Sequence, residues 1–250
     1  MALLVYGDFL CLSCYLASQR VDALTDAGMD VQWRAIDHAP RLTIGAEPAD
    51  TADLETQLTT TRPHVLPGET LPDALPTMTT RSTAAIAGFA EAVGAGTPHE
   101  VRRLLFNSYW QASLDIGDPE VLRTLLAGPI LRGTSTAEPL RASGYCVSVA
   151  GAPITTEATR RIREWNTGWR ALGHPQPPVV VEDDVHLHYG MAALARLRTL
   201  VKEITPGGDR SPSIPAPLTA AHPQPSPFWV SEVGGQWARP WVREPVRTVS

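Results

Sequence analysis

Two cysteines stand three positions apart in Cys11-Leu12-Ser13-Cys14. An apolar run (Leu3, Leu4, Val5, Tyr6) and a loop (Gly7, Asp8, Phe9) precede them, and a stretch that reads as helix, Tyr15 to Ala27, follows. A dithiol between a strand and a helix start is a redox arrangement. Free backbone N–H groups at the helix start stabilise an anion, so Cys11 is expected as the exposed nucleophile, favoured as thiolate. Cys14, one helical turn further on, can resolve a mixed disulfide formed at Cys11. Asp8 is a neighbour of the site whose charge, if close, disfavours the thiolate. His38 reads by default as a solvated loop histidine, and Tyr15 as either core or site wall. The competing readings are two buried cysteines placed by chance, or zinc. A structural zinc site needs four N or S ligands. His186-x-His188 puts two histidines on one strand face, and no second ligand pair stands out, so no metal is expected.

The elements that must hold this dithiol are legible in outline. Residues 2–8 read as a buried strand bounded by Gly7 and Asp8. The helix after the dithiol ends at Gly28, and Asp30 to Ile36 alternates as a second strand. Together they form a β-α-β unit, which is normally right-handed with parallel strands. Residues 37–78 are polar and proline-rich and read as a long surface connection with a short helix near Asp50–Leu58. Residues 80–128 read as mostly helical. Thr97-Pro98-His99-Glu100 is a capping box with proline at the first helical position, and Asp118-Pro119-Glu120 starts the next helix. Tyr145–Val149 suggests a short strand with Cys146 in the core. Thr155 or Thr156 caps a helix carrying Ile162, Trp165 and Trp169, two tryptophans that read as core. Pro177-Pro178 leads into Val179-Val180-Val181, a turn at Glu182-Asp183-Asp184, and the alternating Val185–Tyr189, a hairpin pattern. Met191, Leu194, Leu197, Val201 and Ile204 then follow the helical period.

Composition narrows the function classes. With 43% hydrophobic and 19% charged residues the chain is ordinary for a globular protein, and its net charge of −5 argues against a nucleic-acid surface. Three cysteines are too few for a disulfide framework. No signal peptide and no membrane span is apparent, so the expected compartment is the cytoplasm, where a dithiol is catalytic rather than structural. Residues 206–250 hold nine of the 23 prolines and three of the seven tryptophans, and read as a Pro-rich linker and a Trp-containing tail.

The order β-α-β, helices, β-β-α resembles an α/β thioredoxin-like fold with a helical insertion, here at about residues 79–173 of a domain spanning 1–205. Gly7-Asp8-Phe9-Leu10-Cys11-Leu12-Ser13-Cys14-Tyr15-Leu16, Pro178-Val179-Val180-Val181 and His188-Tyr189-Gly190-Met191 are similar to the DsbA-like branch of that superfamily. They are particularly similar to its cytoplasmic bacterial branch, which includes the FrnE-type oxidoreductases and relatives of the hydroxychromene-carboxylate isomerases. The resemblance implies a cis-proline at Pro178 facing the dithiol, with Leu12, Ser13, Pro177 and Pro178 lining the substrate groove. Two departures stand out. Relatives often carry proline after the first cysteine and tryptophan or histidine before the second, so their redox potential does not transfer to Leu12-Ser13. Pro177 has no N–H, which removes one backbone bond to a peptide-like substrate.

The expected activity is therefore thiol-disulfide oxidoreduction through Cys11 and Cys14. No dissociable cofactor is required, although a low-molecular-weight thiol can act as co-substrate. The alternative is a transferase, isomerase or reductase that uses such a thiol on a small organic substrate, its groove formed by Leu12, Trp33 and the helical insertion. A third reading is a non-catalytic partner-binding module. The expected partner is a thiol or disulfide, protein or small molecule; a homodimer is an open option.

Overall fold

The computed structural model describes residues 3–39, 42, 45–133, 138–183 and 186–204. The expectations for the Pro/Trp-rich tail, and for Asp184 and Val185 in the hairpin turn, lie outside these. In chain order, β1 (Leu3–Gly7) leads through the dithiol into α1 (Leu12–Asp26), and β2 (Val31–Ala35) follows. A two-residue ladder of β3 (Glu47–Pro48) and β4 (Met78–Thr79) brackets α2 (Thr51–Thr61) and a short 3-10 turn. Then come α3 (Thr83–Ala95), α4 (Pro98–Trp110), α5 (Pro119–Arg132), the single turn α6 (Pro139–Ala142) and α7 (Thr156–Ala171). The chain returns as β5 (Val179–Glu182), β6 (His186–Tyr189) and α8 (Met191–Ile204). Among the described residues no helix is long and apolar enough to cross a membrane.

The main sheet has the order β2-β1-β5-β6, with β1 and β2 parallel and β5 antiparallel to both of its neighbours. Strand alternation divides its side chains between two faces. Val5, Trp33 and Val180 join one large cluster with residues of α1, α3, α4 and α8. Tyr6, Val179 and Val181 join a smaller one with Trp169 of α7. The two tryptophans of α7 thus serve different clusters: Trp165 belongs to the larger.

Helix α1 is buried on nearly every side, which is why its apolar period is weak in the sequence: an enclosed helix needs no single stripe. Its polar side chains are paired instead. Arg20 bonds Glu69 at 2.7 Å, the Leu194 carbonyl at 2.6 Å and the His64 carbonyl. Gln19 donates to the Thr70 carbonyl at 2.8 Å. Residues 62–71 are therefore not the free surface connection their composition suggests; buried donors on α1 hold them.

Two other expectations fail. Thr97 caps nothing: its backbone (φ −119°, ψ 35°) lies outside the extended region a capping hydroxyl needs. Its partner in the capping box, Glu100, instead reaches Arg132 across to α5. Tyr145–Val149 forms no strand. Cys146 and Val147 are buried against helices, and Cys146 donates to the Leu122 carbonyl of α5, so no sheet edge is at hand. Burial pushes the Cys146 thiol up to about 12, which fits a core residue.

Gly7, at the end of β1, is required by packing. A Cβ there would lie 2.2 Å from Cζ2 of Trp33, and that ring stands edge-on to Phe106 with centroids 5.6 Å apart. Gly7→Ala is expected to cost about 1–3 kcal/mol by overpacking. A lowered urea midpoint at unchanged slope is the readout, and an unchanged midpoint would contradict this account of the glycine.

Candidate functional site

The dithiol loop is held from the helical insertion. Phe9 packs between Phe106 of α4 and Phe89 of α3 (centroids 5.0 and 5.8 Å), and Trp110 donates its indole N–H to the Phe9 carbonyl at 3.0 Å. This fixes the chain two residues before Cys11. Cys11 is the N-cap of α1, with extended backbone; Tyr15 donates its N–H to the Cys11 carbonyl at 3.0 Å, and no side chain caps the helix end. The helix therefore starts at Leu12, three residues earlier than its apolar pattern suggests, which brings Ser13 and Cys14 into its first turn.

Both cysteines are free thiols. Cys14 is fully buried, and Cys11 is only 7% exposed, so the expected exposed nucleophile is in fact covered. Ser13 Oγ lies 3.0 Å from Cys11 Sγ. The Pro177 carbonyl accepts from the Cys11 thiol at 3.8 Å, across a cis Pro177–Pro178 peptide bond. Of the four residues expected to line a groove, Ser13 and Pro177 meet Cys11. The Pro178 carbonyl accepts the Gly190 N–H at 2.9 Å and closes the hairpin. Leu12 does not line a groove: its side chain is fully in the core, and its N–H is taken by Gln57 Oε1 of α2 at 3.1 Å. Trp33, expected beside it, is core as well. Tyr15 is core, and its hydroxyl accepts from Gln111 Nε2 at 2.9 Å.

The residue that sequence reasoning placed in solvent is at the site. Asp8 is fully buried, and its Oδ1 accepts the Leu10 N–H at 3.0 Å. Its Oδ2 takes both the backbone N–H of His38 (2.9 Å) and the ring Nδ1 (2.7 Å). The cause is the parallel register: Gly7 lies opposite Ala35, and the Ile36 N–H bonds the Gly7 carbonyl. Residues just past the ends of β1 and β2 must then sit side by side. That register is the signal from which His38 could have been read.

Electrostatics separate the two thiols. Cys11 is lowered from 9.0 to about 7, first by the hydrogen bond from the Cys14 thiol, then by the charge of His38 and the Ser13 hydroxyl, against the cost of burial. Cys14 is raised, chiefly by burial and also by donating to Cys11. For His38 burial opposes the cation, yet the hydrogen bond and charge of Asp8, with Cys11 and Asp37 behind them, raise it to about 9. The arrangement supplies one poised thiolate, one protonated thiol beside it, and an imidazolium held by a buried carboxylate. Ser13→Ala is expected to move the Cys11 titration upward and slow its alkylation at pH 6 by roughly two- to threefold, a fraction of a unit. A pH profile with iodoacetamide reads this, and an unmoved profile would remove Ser13 from the site.

Among the described residues no cluster of three or more His, Cys, Asp or Glu side chains could hold a metal ion. His188, half of the histidine pair considered for zinc, faces Glu182 at 3.8 Å.

A β-α-β/β-β-α sheet with a dithiol at the first helix start and a proline loop against it defines a thioredoxin-fold protein. Residues 2–128 match the DSBA-like thioredoxin domain, and the chain belongs to that family. Among solved structures it is similar to a probable DsbA oxidoreductase from Streptomyces coelicolor (17% identity, TM-score 0.59, 85% of this chain and 92% of that one). The cytosolic disulfide reductase DsbM from Pseudomonas aeruginosa, solved with GSH, aligns at 15% identity and TM-score 0.57 over 82% and 98% of the two chains. A 2-hydroxychromene-2-carboxylate isomerase aligns at 20% identity and TM-score 0.54 over 82% and 96%. At these identities the likeness is one of fold. No curated protein sequence matches the chain.

Proposed function

We propose that the protein is a thiol-disulfide oxidoreductase whose preferred partner is a small disulfide such as that of glutathione. The observation that carries the reading is the unequal dithiol: Cys11 lowered to about 7 at the start of α1, with Cys14 raised beside it. The Cys11 thiolate attacks one sulfur of the partner disulfide, forming a mixed disulfide and releasing the other half as thiolate. Cys14 then loses its proton and attacks Cys11 Sγ, closing the Cys11–Cys14 disulfide and releasing the second thiolate. The protein dithiol is oxidised by two electrons and the partner is reduced by two. The reverse sequence runs when the partner is a dithiol.

The proton of Cys14 needs an acceptor. Asp8 bears on Cys14 through its backbone and its charge, and it is bonded to His38. We assign proton uptake to the Asp8 carboxylate, since His38 beside it already holds its own proton below about pH 9. Partner size follows from cover: with Cys11 7% exposed and Pro177 lacking an N–H, a small disulfide reaches the sulfur more readily than a folded protein does. The proposed setting is the cytoplasm, where such dithiols turn over rather than persist as disulfides.

Mass spectrometry after treatment with glutathione disulfide tests this. The expected product is a Cys11–Cys14 disulfide with Cys146 still free. A product in which Cys11 and Cys14 are not joined would sink the oxidoreductase reading and favour thiol-dependent transfer or isomerisation.

A further inference from the structure

A cavity of about 530 Å³ lies between the helical insertion and the loop after β2, and the chemistry assigned to the dithiol does not use it. This is within the size range of small-molecule sites. One side is apolar: Ile86 of α3, Ile162 and Trp169 of α7, and Pro153. The Trp169 indole is fixed, its N–H given to the Pro175 carbonyl at 3.3 Å and its ring edge-on to His174 with centroids 4.8 Å apart.

The polar side is cationic. Arg81 spends Nε on Asp37 at 2.9 Å, and among the described residues its terminal nitrogens make no hydrogen bond. Arg170 is exposed and, among the described residues, pairs with no carboxylate. Two guanidiniums thus stand against one carboxylate in this wall, with Asn166 beside them to donate or accept. Helix α3 also begins here: Thr83 lines the cavity, and the N-cap Ser82 makes no side-chain cap, so the positive end of the helix adds to the field.

We propose that this cavity binds a small organic anion with a flat apolar body, its ring lying against Trp169 and its carboxylate or sulfonate held by Arg170 and Arg81. The fork of an arginine suits a planar oxyanion, and the free terminal nitrogens of Arg81 and the exposed fork of Arg170 can both meet one here. The cavity shares its walls with the two loops that flank the dithiol. Asp37 precedes His38, and Pro175 is two residues before Pro177. Binding itself does not depend on the dithiol chemistry.

Isothermal titration of the full chain with 2-naphthoate, and with the neutral 2-naphthalenemethanol, tests it at low salt. Naphthoate is expected to saturate a single site, with the alcohol at least about tenfold weaker, as for loss of one charge-assisted contact. Arg170→Ala should weaken naphthoate by about tenfold and Arg170→Lys by less. Ile162→Trp, which fills the cavity, should abolish binding while circular dichroism reports an unchanged fold. Naphthoate should bind the Cys11→Ser variant as it binds the wild type, so that failure of the redox reading leaves this result standing. A flat isotherm, equal binding of the alcohol, or an unaffected Arg170→Ala variant would overturn the proposal.

Discussion

Cys14→Ala is expected to stop the reaction halfway. With glutathione disulfide as the sole partner, the wild type should release two glutathione molecules for each Cys11–Cys14 disulfide formed. The variant should release one and remain as a Cys11–glutathione adduct. Attack by Cys14 is intramolecular, between groups already in contact, and removing it leaves only bimolecular resolution. The second release should slow by about 10³-fold or more on that ground. Cys146 cannot substitute: it is fully buried at the Leu122 carbonyl, and burial pushes its thiol up to about 12. The experiment also separates the two enzyme readings. An enzyme that uses a free thiol on an organic substrate has no need of Cys14, so a variant with wild-type turnover would establish the transferase or isomerase alternative.

The second large effect is expected at the Asp8–His38 pair, and its sign follows from the two titrations. Cys11 is lowered from 9.0 to about 7, so its contribution to the stability of the reduced fold is complete above 9 and lost as pH falls through 7. His38 is raised from 6.5 to about 9, so its contribution is complete below 6.5 and lost as pH rises through 9. Thiolate and imidazolium coexist between about pH 7 and 9, and the reduced form is most favoured there. His38→Ala removes the cation. Its Cys11 alkylation midpoint should rise from about 7 toward the ordinary thiol range, and the rate at pH 7 should fall roughly three- to tenfold.

Asp8→Asn separates charge from shape. It takes a negative charge away from the thiolate but also releases the His38 cation, so the Cys11 midpoint should move less than in His38→Ala. The acceptor for the Cys14 proton is lost, however, and resolution of the mixed disulfide should slow by about 10²-fold, the low end for a positioned base. Stopped-flow measurement of both steps across pH distinguishes these outcomes. If Asp8→Asn lowers only thermal stability and leaves the resolution rate unchanged, the pair is structural.

The dithiol and its frame were legible because they are local. Cys11-Leu12-Ser13-Cys14 is a short spacing, the strand at Val5 and Tyr6 is one apolar run, and the helix of Leu194, Leu197 and Val201 keeps its period. Pro177-Pro178 before a valine strand was legible in the same way, and the structure sets the Pro177 carbonyl at Cys11. These features depend on backbone preference and on side chains that alternate or recur within a few residues. They outline a β-α-β, helices, β-β-α order and carry the resemblance to the DSBA-like family that residues 2–128 match.

What surrounds the sulfur atoms depended on residues far apart in the chain. His38 reaches Asp8 only because β1 and β2 pair in parallel with Gly7 opposite Ala35. Leu12 left the groove because Gln57, 45 residues away, bonds its N–H while its side chain enters the core. Thr97 and Glu100 spell a capping box, yet Arg132 on another helix takes the glutamate. The cover over Cys11 and the cationic cavity beside Trp169 likewise come from elements that touch only after folding. A sequence by itself specifies the propensities of neighbours. Burial, register and the field at a thiolate are sums over the whole packed chain, and here they decide which cysteine is lowered, which histidine stands beside Asp8 and how little of the Cys11 sulfur is exposed.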